Sequence, residues 1–365
     1  MMVRDGSATV ARALRPLKGI ADEVCFVDTG STDGTPDAIA KACSEIGVPC
    51  MGIAISPTSR PDLYFRDISE EYGPYGADMP DLTGSYLLRD WATTRNLGLE
   101  MCRGEWVLKL DADDELLSPD HLQATIGCLS KLSECDFVAC PYEVMCGSEI
   151  EYETLYTRLW RNLSKIRFRE ICHENVDWGR REDNWMCGLG VTFRDWRDAG
   201  GASRIPHRNL KVLLREYVAR KFSNVEATAM PPAELLSDSA ERRSHLHLLT
   251  YLADEAALVR PGWALEWAER RLTFPIYEPD RAWIMHSKAR AYAALDMGYD
   301  AQRCYQRAAE MGWGRASLAL AVQCAKFEQD GWRYQLLRAI ALNQGKYYPR
   351  FASHTELREA RELLT

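Results

Sequence analysis

Residues 101–117 read MCRGEWVLKLDADDELL, an alternating, largely apolar run from Trp106 to Leu110 that ends in Asp111, Asp113, Asp114 and Glu115. The run has the length and pattern of a strand. In an open α/β sheet, ligands bind in the loops beyond the carboxyl ends of strands. Asp111 stands at such an end, with Asp113 on the same side two residues on. An Asp-x-Asp pair supplies hard oxygen ligands matched to Mg²⁺ or Mn²⁺ that also holds phosphate oxygens. A cluster this dense repels itself unless a cation or solvent relieves it. Taken alone, such a turn is more often a solvated surface feature than a metal site.

A second strand end changes the weighing. In ADEVCFVDTGSTDGTPDAIAKACSEIG, residues 21–47, Val24 to Val27 form a compact apolar strand and Asp28 stands where it ends. Gly30 and Gly34 punctuate the turn, Asp33 or Thr35 can cap, and Pro36 suits the first turn of a helix. A strand follows at Val48 to Ile55, which completes a strand–helix–strand crossover. The Gly/Ser/Thr turn can approach a nucleotide closely with backbone and hydroxyl donors. It has neither GxGxxG nor the lysine of a phosphate-binding P-loop, which argues against dinucleotide and ATPase chemistry.

Ahead of this unit, Thr9 to Leu17 reads as a short helix. Residues 56–88, rich in Pro, Gly, Asp and Tyr, break the rhythm and read as an inserted loop near a sheet edge, lid-like in composition. A helix is expected over Leu87 to Met101, another over Pro119 to Leu132, and a strand over Phe137 to Met145. Residues 154–177, LYTRLWRN and then KIRFREICHENV, read as two strands around a turn. Beyond about residue 206 successive helical segments with short breaks predict an all-helical second domain. Ala289, Tyr292, Ala301, Tyr305 and Ala308 fall at the small and aromatic positions of one tetratricopeptide-type repeat. The expected domains are 1–205, with an insertion near 56–88, and 206–365.

The chain has 365 residues, 46% of them hydrophobic, which is ample for a sizeable core and for two domains. Its formal charge of -8 weighs against gripping a long nucleic-acid duplex through phosphates. No apolar stretch is long enough to span a membrane, and MMVRDGSATV carries charges where a signal peptide's apolar segment belongs, so cytoplasmic location without membrane insertion is expected. The twelve cysteines are scattered, as Cys25, Cys43, Cys50, Cys102 and Cys128 illustrate, without a CxxC pair. Buried thiols in a reducing compartment fit that spacing better than a disulfide framework.

Three blocks in order, MMVRDGSATVARALRPLKGIADEVCFVDTGSTDGT, DWATTRNLGLEMCRGEWVLKLDADDEL and LYTRLWRNLSKIRFREICHENV, resemble the family 2 glycosyltransferases of GT-A fold. More narrowly, they resemble the bacterial and phage group that carries tetratricopeptide-like helices after the catalytic domain. The likeness covers much of residues 1–177 apart from the insertion. It implies an α/β fold, a GT-A nucleotide-sugar-binding domain with a mixed central sheet, followed by an all-helical TPR-like domain.

The same resemblance implies roles. Val3, Arg4 and Asp5 occupy the first-strand position, and with Asp28 and Asp33 they contact the nucleotide. Arg95, in DWATTRN, contacts the nucleotide-sugar; a guanidinium fork suits phosphate oxygens. Asp111 points toward sugar or ribose, and Asp113 toward Mg²⁺ or Mn²⁺. His173 is a third contact to metal or diphosphate, and Glu174 is the candidate general base, with Asp114 as the other carboxylate for that role. The donor implied is a nucleotide-sugar, a UDP-sugar, and the transfer inverting. Two departures stand out. The first strand begins almost at Met1, so either that sheet edge is short or the chain starts upstream, and 56–88 exceeds the usual connection and is expected to shape the donor or acceptor pocket. Residues 178–205, with Trp185, Phe193 and Trp196, either cover the acceptor side or form a packed linker.

The acceptor stays open among a glycan, a protein side chain and a modified DNA base, the last needing a basic patch such as Arg161, Arg167, Arg169, Arg180 and Arg181. Stacked helices also leave room for a homo-oligomer. A nucleotidyltransferase would instead need a glycine-rich basic loop near the amino terminus, where DTGSTDGT is acidic. A non-catalytic helical-repeat scaffold predicts loss of the acids, whereas Asp28, Asp111, Asp113 and Glu174 are all present.

Overall fold

The computed structural model describes residues 1–129, 131, 135–164, 166–177, 185–187, 190–196, 207–219, 240–274, 276, 278–326, 331–344, 346 and 350–364. They form two compact units, one of residues 1–66 and 84–204, the other of residues 67–83 and 205–365. The architecture is mixed α/β followed by an all-helical region, as the order of patterns predicts.

The α/β unit opens with three parallel strands, β1 (Met2–Val3), β2 (Val24–Asp28) and β3 (Cys50–Ala54), in the order β1-β2-β3. Strand β2, VCFVD, is buried at every position, as befits the middle strand of a covered parallel sheet. Helix α1 (Val10–Leu14) stops short of the expected Leu17 because Pro16 lies within a 3₁₀ turn over Arg15–Leu17. Helix α2 (Thr35–Ile46) has proline in its first turn and ends at Gly47, whose φ of 78° lets its N–H reach the carbonyls of Cys43 and Ser44. Val10, Ala13, Leu14, Ile39 and Cys43 bury the apolar faces of both helices in one core with Val24 and Phe26.

Residues 56–88 are more structured than a loop. They hold a 3₁₀ turn at Pro61–Leu63 and an antiparallel pair, β4 (Tyr64–Arg66) with β5 (Tyr86–Leu88). The intervening residues 67–83 belong to the helical unit. The helix expected from Leu87 therefore begins later, as α3 (Trp91–Met101), because Asp90 accepts the Thr93 N–H and caps it. Such a cap is worth about 1 kcal/mol.

The larger sheet contains β6 (Trp106–Leu108), β7 (Asp114–Leu116), helix α4 (Pro119–Leu129) in the connection, β8 (Phe137–Cys146) and β9 (Glu149–Arg161). After β10 (Arg167–Arg169), β11 (Asn175–Asp177) and β12 (Trp185–Cys187), it is completed by β13 (Phe193–Asp195) in the order β6-β9-β8-β13-β7, with β12 beside β8. Strand β13 runs parallel to β8 and antiparallel to β7, so the sheet is mixed. Two readings change here. The long hairpin is β8 with β9, whereas among the described residues β10 and β11 pair with each other over three residues. The acidic run is also part strand, since Asp114 to Leu116 pair with Asp195 to Phe193.

In the other unit, α5 (Arg208–Ala219), α6 (Ala240–Ala256), α7 (Pro261–Leu272), α8 (Glu278–Ala294), α9 (Gly298–Glu310), α10 (Gly314–Lys326), α11 (Trp332–Asn343) and α12 (His354–Glu362) follow one another. Ala289, Ala301, Tyr305 and Ala308 form the α8–α9 core, with Tyr292 packed against it, because small residues let the paired helices approach closely. Residues 67–83 join this unit through Asp67, fully buried, which binds Lys211 Nζ at 2.8 Å and also accepts from Tyr72 and Thr83. Tyr75 adds an edge-on contact to Trp263. No helix among the described residues is long and apolar enough to cross a membrane.

Candidate functional site

The first acidic turn is tied down by its own backbone. Asp28, buried at the end of β2, accepts the N–H groups of Gly30 and Ser31 at 3.1 and 2.9 Å. Asp5, at φ 49°, accepts the Thr32 N–H at 2.7 Å. Asp33 accepts from the Ser7 and Thr35 N–H groups and the Thr35 hydroxyl, a bond that holds its carboxyl down at about 2. Val3 is in the core and its carbonyl accepts the Thr29 N–H, whereas the Arg4 side chain is half exposed and 3.7 Å from Asp5. These residues form one turn-shaping cluster.

The second acidic turn lies against the first. A Cβ on Gly6 would sit 3.0 Å from the Ala112 methyl and 3.0 Å from Val3 Cγ2, so any larger residue there would have to push one of them back by a few tenths of an ångström. Arg12, on α1, donates to the Asp113 carbonyl at 3.2 Å. The two strand-end acid groups, separate in sequence, are thereby neighbours.

A chain of ion pairs organises the second turn. Arg95, on α3, places Nη2 2.9 Å from Asp111 Oδ1 and Nε 2.5 Å from Glu174 Oε1. Lys109 Nζ is 3.6 Å from the same Glu174 oxygen. Arg158 of β9 reaches Asp111 Oδ2 at 3.2 Å and Asp114 Oδ2 at 2.9 Å. Asp114 also accepts the Tyr142 hydroxyl and the Asp111 N–H, both at 2.7 Å, and is fully buried. Asp114, the other carboxylate named for the base, has both oxygens engaged and no solvent face.

The electrostatics follow from this wiring. Burial alone would raise the Asp111 carboxyl, but Arg95, Lys109 and Arg158 outweigh it and hold Asp111 far below the usual carboxylate range. Burial acts likewise on Glu174, and Arg95 with Lys109 again keeps it low and ionised. Asp114 is pushed up to about 6 by burial, against the pull of Arg158. Asp113 is exposed, yet the protein around its loop and then the charges of Asp195 and Asp111 push it up to about 6. Solvent at its open edge screens part of that effect.

Among the described residues, no group of three or more His, Cys, Asp or Glu side chains can hold a metal ion. The donor set fits a different arrangement. Asp111 is committed to two guanidinium groups, whereas the Asp113 side chain is exposed. Mg²⁺ is commonly held by one or two carboxylates plus substrate phosphates, and one hard oxygen group matches that mode. His173, half-buried with φ 55°, immediately precedes Glu174 between β10 and β11. Arg161 is drawn to Glu105 and Asp136, and Arg180 and Arg181 lie outside the described residues. Cys25, Cys43, Cys50, Cys102 and Cys128 are free thiols.

Sequence reading missed Lys109, Arg158 and Tyr142. The only signal was a basic residue inside the apolar strand patterns WVLKL and YTRLW, which demands a buried partner.

No protein-family model matches the chain. A TPR repeat-containing protein of Synechococcus elongatus is 28% identical over 193 residues, 51% of this chain and 38% of that protein, so the match spans well under half of the relative. Among solved structures, S. aureus TarS, as a crystal structure of its residues 1–349, aligns with 95% of this chain and 91% of its own at 12% identity and a TM-score of 0.36. An overlap that loose carries no argument about function.

Proposed function

We propose that this protein is a metal-dependent, inverting glycosyltransferase of GT-A type that uses a nucleotide-sugar, a UDP-sugar, as donor. Residues 1–205 hold the transfer site and residues 206–365 form a TPR-like helical region. The observation that carries the reading is the meeting of two strand-end acidic turns at Gly6 and Ala112, beside the Arg95–Asp111–Glu174 network.

On this reading, Asp5, Asp28 and Asp33 shape the turn that receives base and ribose, with Val3 and Arg4 at its edge. Arg95 turns its guanidinium fork toward the diphosphate, where Asp111 keeps it aligned. Asp113, with His173, holds Mg²⁺ or Mn²⁺. The cation supplies charge neutralisation for the departing diphosphate. Glu174, ionised in the free protein, takes the proton of the acceptor nucleophile. That nucleophile bonds to the anomeric carbon as the bond to the diphosphate oxygen breaks on the opposite face, and the nucleoside diphosphate leaves with the electron pair. The acceptor classes that suit the site are a glycan, a protein side chain or an exposed DNA base.

A panel of nucleotide-sugars with Mg²⁺ or Mn²⁺ tests this, read by thermal shift and by released nucleotide, with Asp113→Ala alongside. One donor that binds only with the ion, and loses that dependence in the variant, is expected. If no donor binds with either ion while the folded protein captures a protein partner, the transferase reading gives way to a helical scaffold.

A further inference from the structure

Arg158 has no part in the transfer chemistry, yet it is among the most deeply enclosed charges of the α/β unit, with 2% of its surface exposed. Its Nη1 spans Asp111 and Asp114, its Cζ lies 4.3 Å from the centre of the Tyr142 ring, and Tyr142 in turn donates to the other oxygen of Asp114. The Arg158 carbonyl accepts the Lys109 N–H at 2.7 Å, so backbone and side chain of one residue grip both ends of the KLDADD run, Lys109 and Asp114. Its Nε is buried and has no hydrogen-bond partner among the described residues.

Stability does not explain this placement. Taking a guanidinium out of water is costly, and apolar replacements of buried ion pairs are often neutral or stabilising. What the pairing does supply is direction. Asp111 and Asp114 are both turned inward onto one guanidinium, and Asp113 lies between them with its side chain exposed.

We propose that Arg158 is a positioning residue, clamping the carboxylates on either side of Asp113 so that Asp113 is presented outward to a divalent cation bound with a diphosphate. This rests on the nucleotide-sugar reading. Residues that orient metal ligands typically alter metal affinity or activity by about 10- to 100-fold when replaced.

Calorimetric titration of the full chain with Mn²⁺ and inorganic pyrophosphate tests it, with thermal melts run in parallel. The double variant Arg158→Met/Asp114→Asn removes the buried charge together with its partner's charge. It is expected to melt near the wild-type temperature, to bind Mn²⁺–pyrophosphate roughly 10- to 100-fold more weakly, as Asp113→Asn does, and Arg158→Lys is expected to recover part of the loss. A folded double variant of wild-type affinity overturns the proposal while leaving the cation reading intact, provided Asp113→Asn is impaired. If the double variant does not fold, Arg158→Lys decides: unchanged affinity overturns the proposal, and weakened affinity at an unchanged melting temperature supports it. Absence of Mn²⁺–pyrophosphate binding in the wild type overturns both readings.

Discussion

Arg95 and Glu174, 79 residues apart in sequence, meet at 2.5 Å, and the same guanidinium lies 2.9 Å from Asp111. One side chain on α3 therefore joins the acidic turn to the segment between β10 and β11. Glu174→Gln is expected to lower the transfer rate about 10²- to 10⁴-fold, the usual contribution of a positioned general base, with donor affinity retained. Initial rates set against donor affinity by calorimetry check this, and an equal loss in both would assign Glu174 to binding instead. Arg95→Lys is expected to weaken donor binding, because an ammonium cannot serve two partners as a planar fork does.

Gly6 is where the two acidic turns touch. In Gly6→Ala the new methyl meets Ala112 and Val3 at 3.0 Å each. Val3 is core, so the acidic turn must yield. Overpacking of this kind costs about 1–3 kcal/mol. Urea unfolding should show it, and Gly6→Ala combined with Ala112→Gly should recover most of the loss.

In the helical unit, Lys211 and Asp67 are both fully buried and 2.8 Å apart. Among the described residues, Lys211→Met leaves the Asp67 charge with the neutral donors Tyr72 and Thr83. An uncompensated buried charge costs about 3–5 kcal/mol. Lys211→Met/Asp67→Asn should regain much of that stability in denaturant unfolding, because the neutral amide carries no unpaired charge. Equal destabilisation in the single and double variants would refute the account.

His286, buried between the rings of Tyr305 and Trp313, is held neutral: burial first, then the charges of Arg315 and Arg290, lower its pKa well below the ordinary imidazole value of about 6.5. The unfolded chain takes up a proton that the folded chain refuses, so stability is present above about pH 6.5 and is lost as pH falls below it. The melting temperature should drop between pH 7 and 5, and His286→Leu should flatten that part of the profile. A slope unchanged by the substitution would place the acid sensitivity elsewhere.

Local pattern located most of the elements around the site. Strand β2 and helix α2 follow from VCFVD, Pro36 and Gly47, and the acidic stretch follows the strand at Trp106–Leu108. Hairpin partners were less legible. LYTRLW carries the apolar period of a strand, but nothing in it says that β8 lies opposite, since its partners, from Pro141 opposite Leu155 to Phe137 opposite Trp160, are 14 to 23 residues away. Asp90 as an N-cap was readable from DWATT, yet the helix was expected to begin at Leu87, three residues before it.

What the sequence by itself determined is chemical type and order: two acid-ended strands, a guanidinium between them, a histidine–glutamate pair after them and helices beyond. Those depend on neighbours in the chain, where propensity and spacing act. The tertiary structure alone decided which charges are spent and which are left. Asp111, Asp113 and Asp114 are indistinguishable as letters, but Arg95 and Arg158 arrive from α3 and β9 to occupy the first and the last. Electrostatic pairing reads distance through space, and only folding sets that distance.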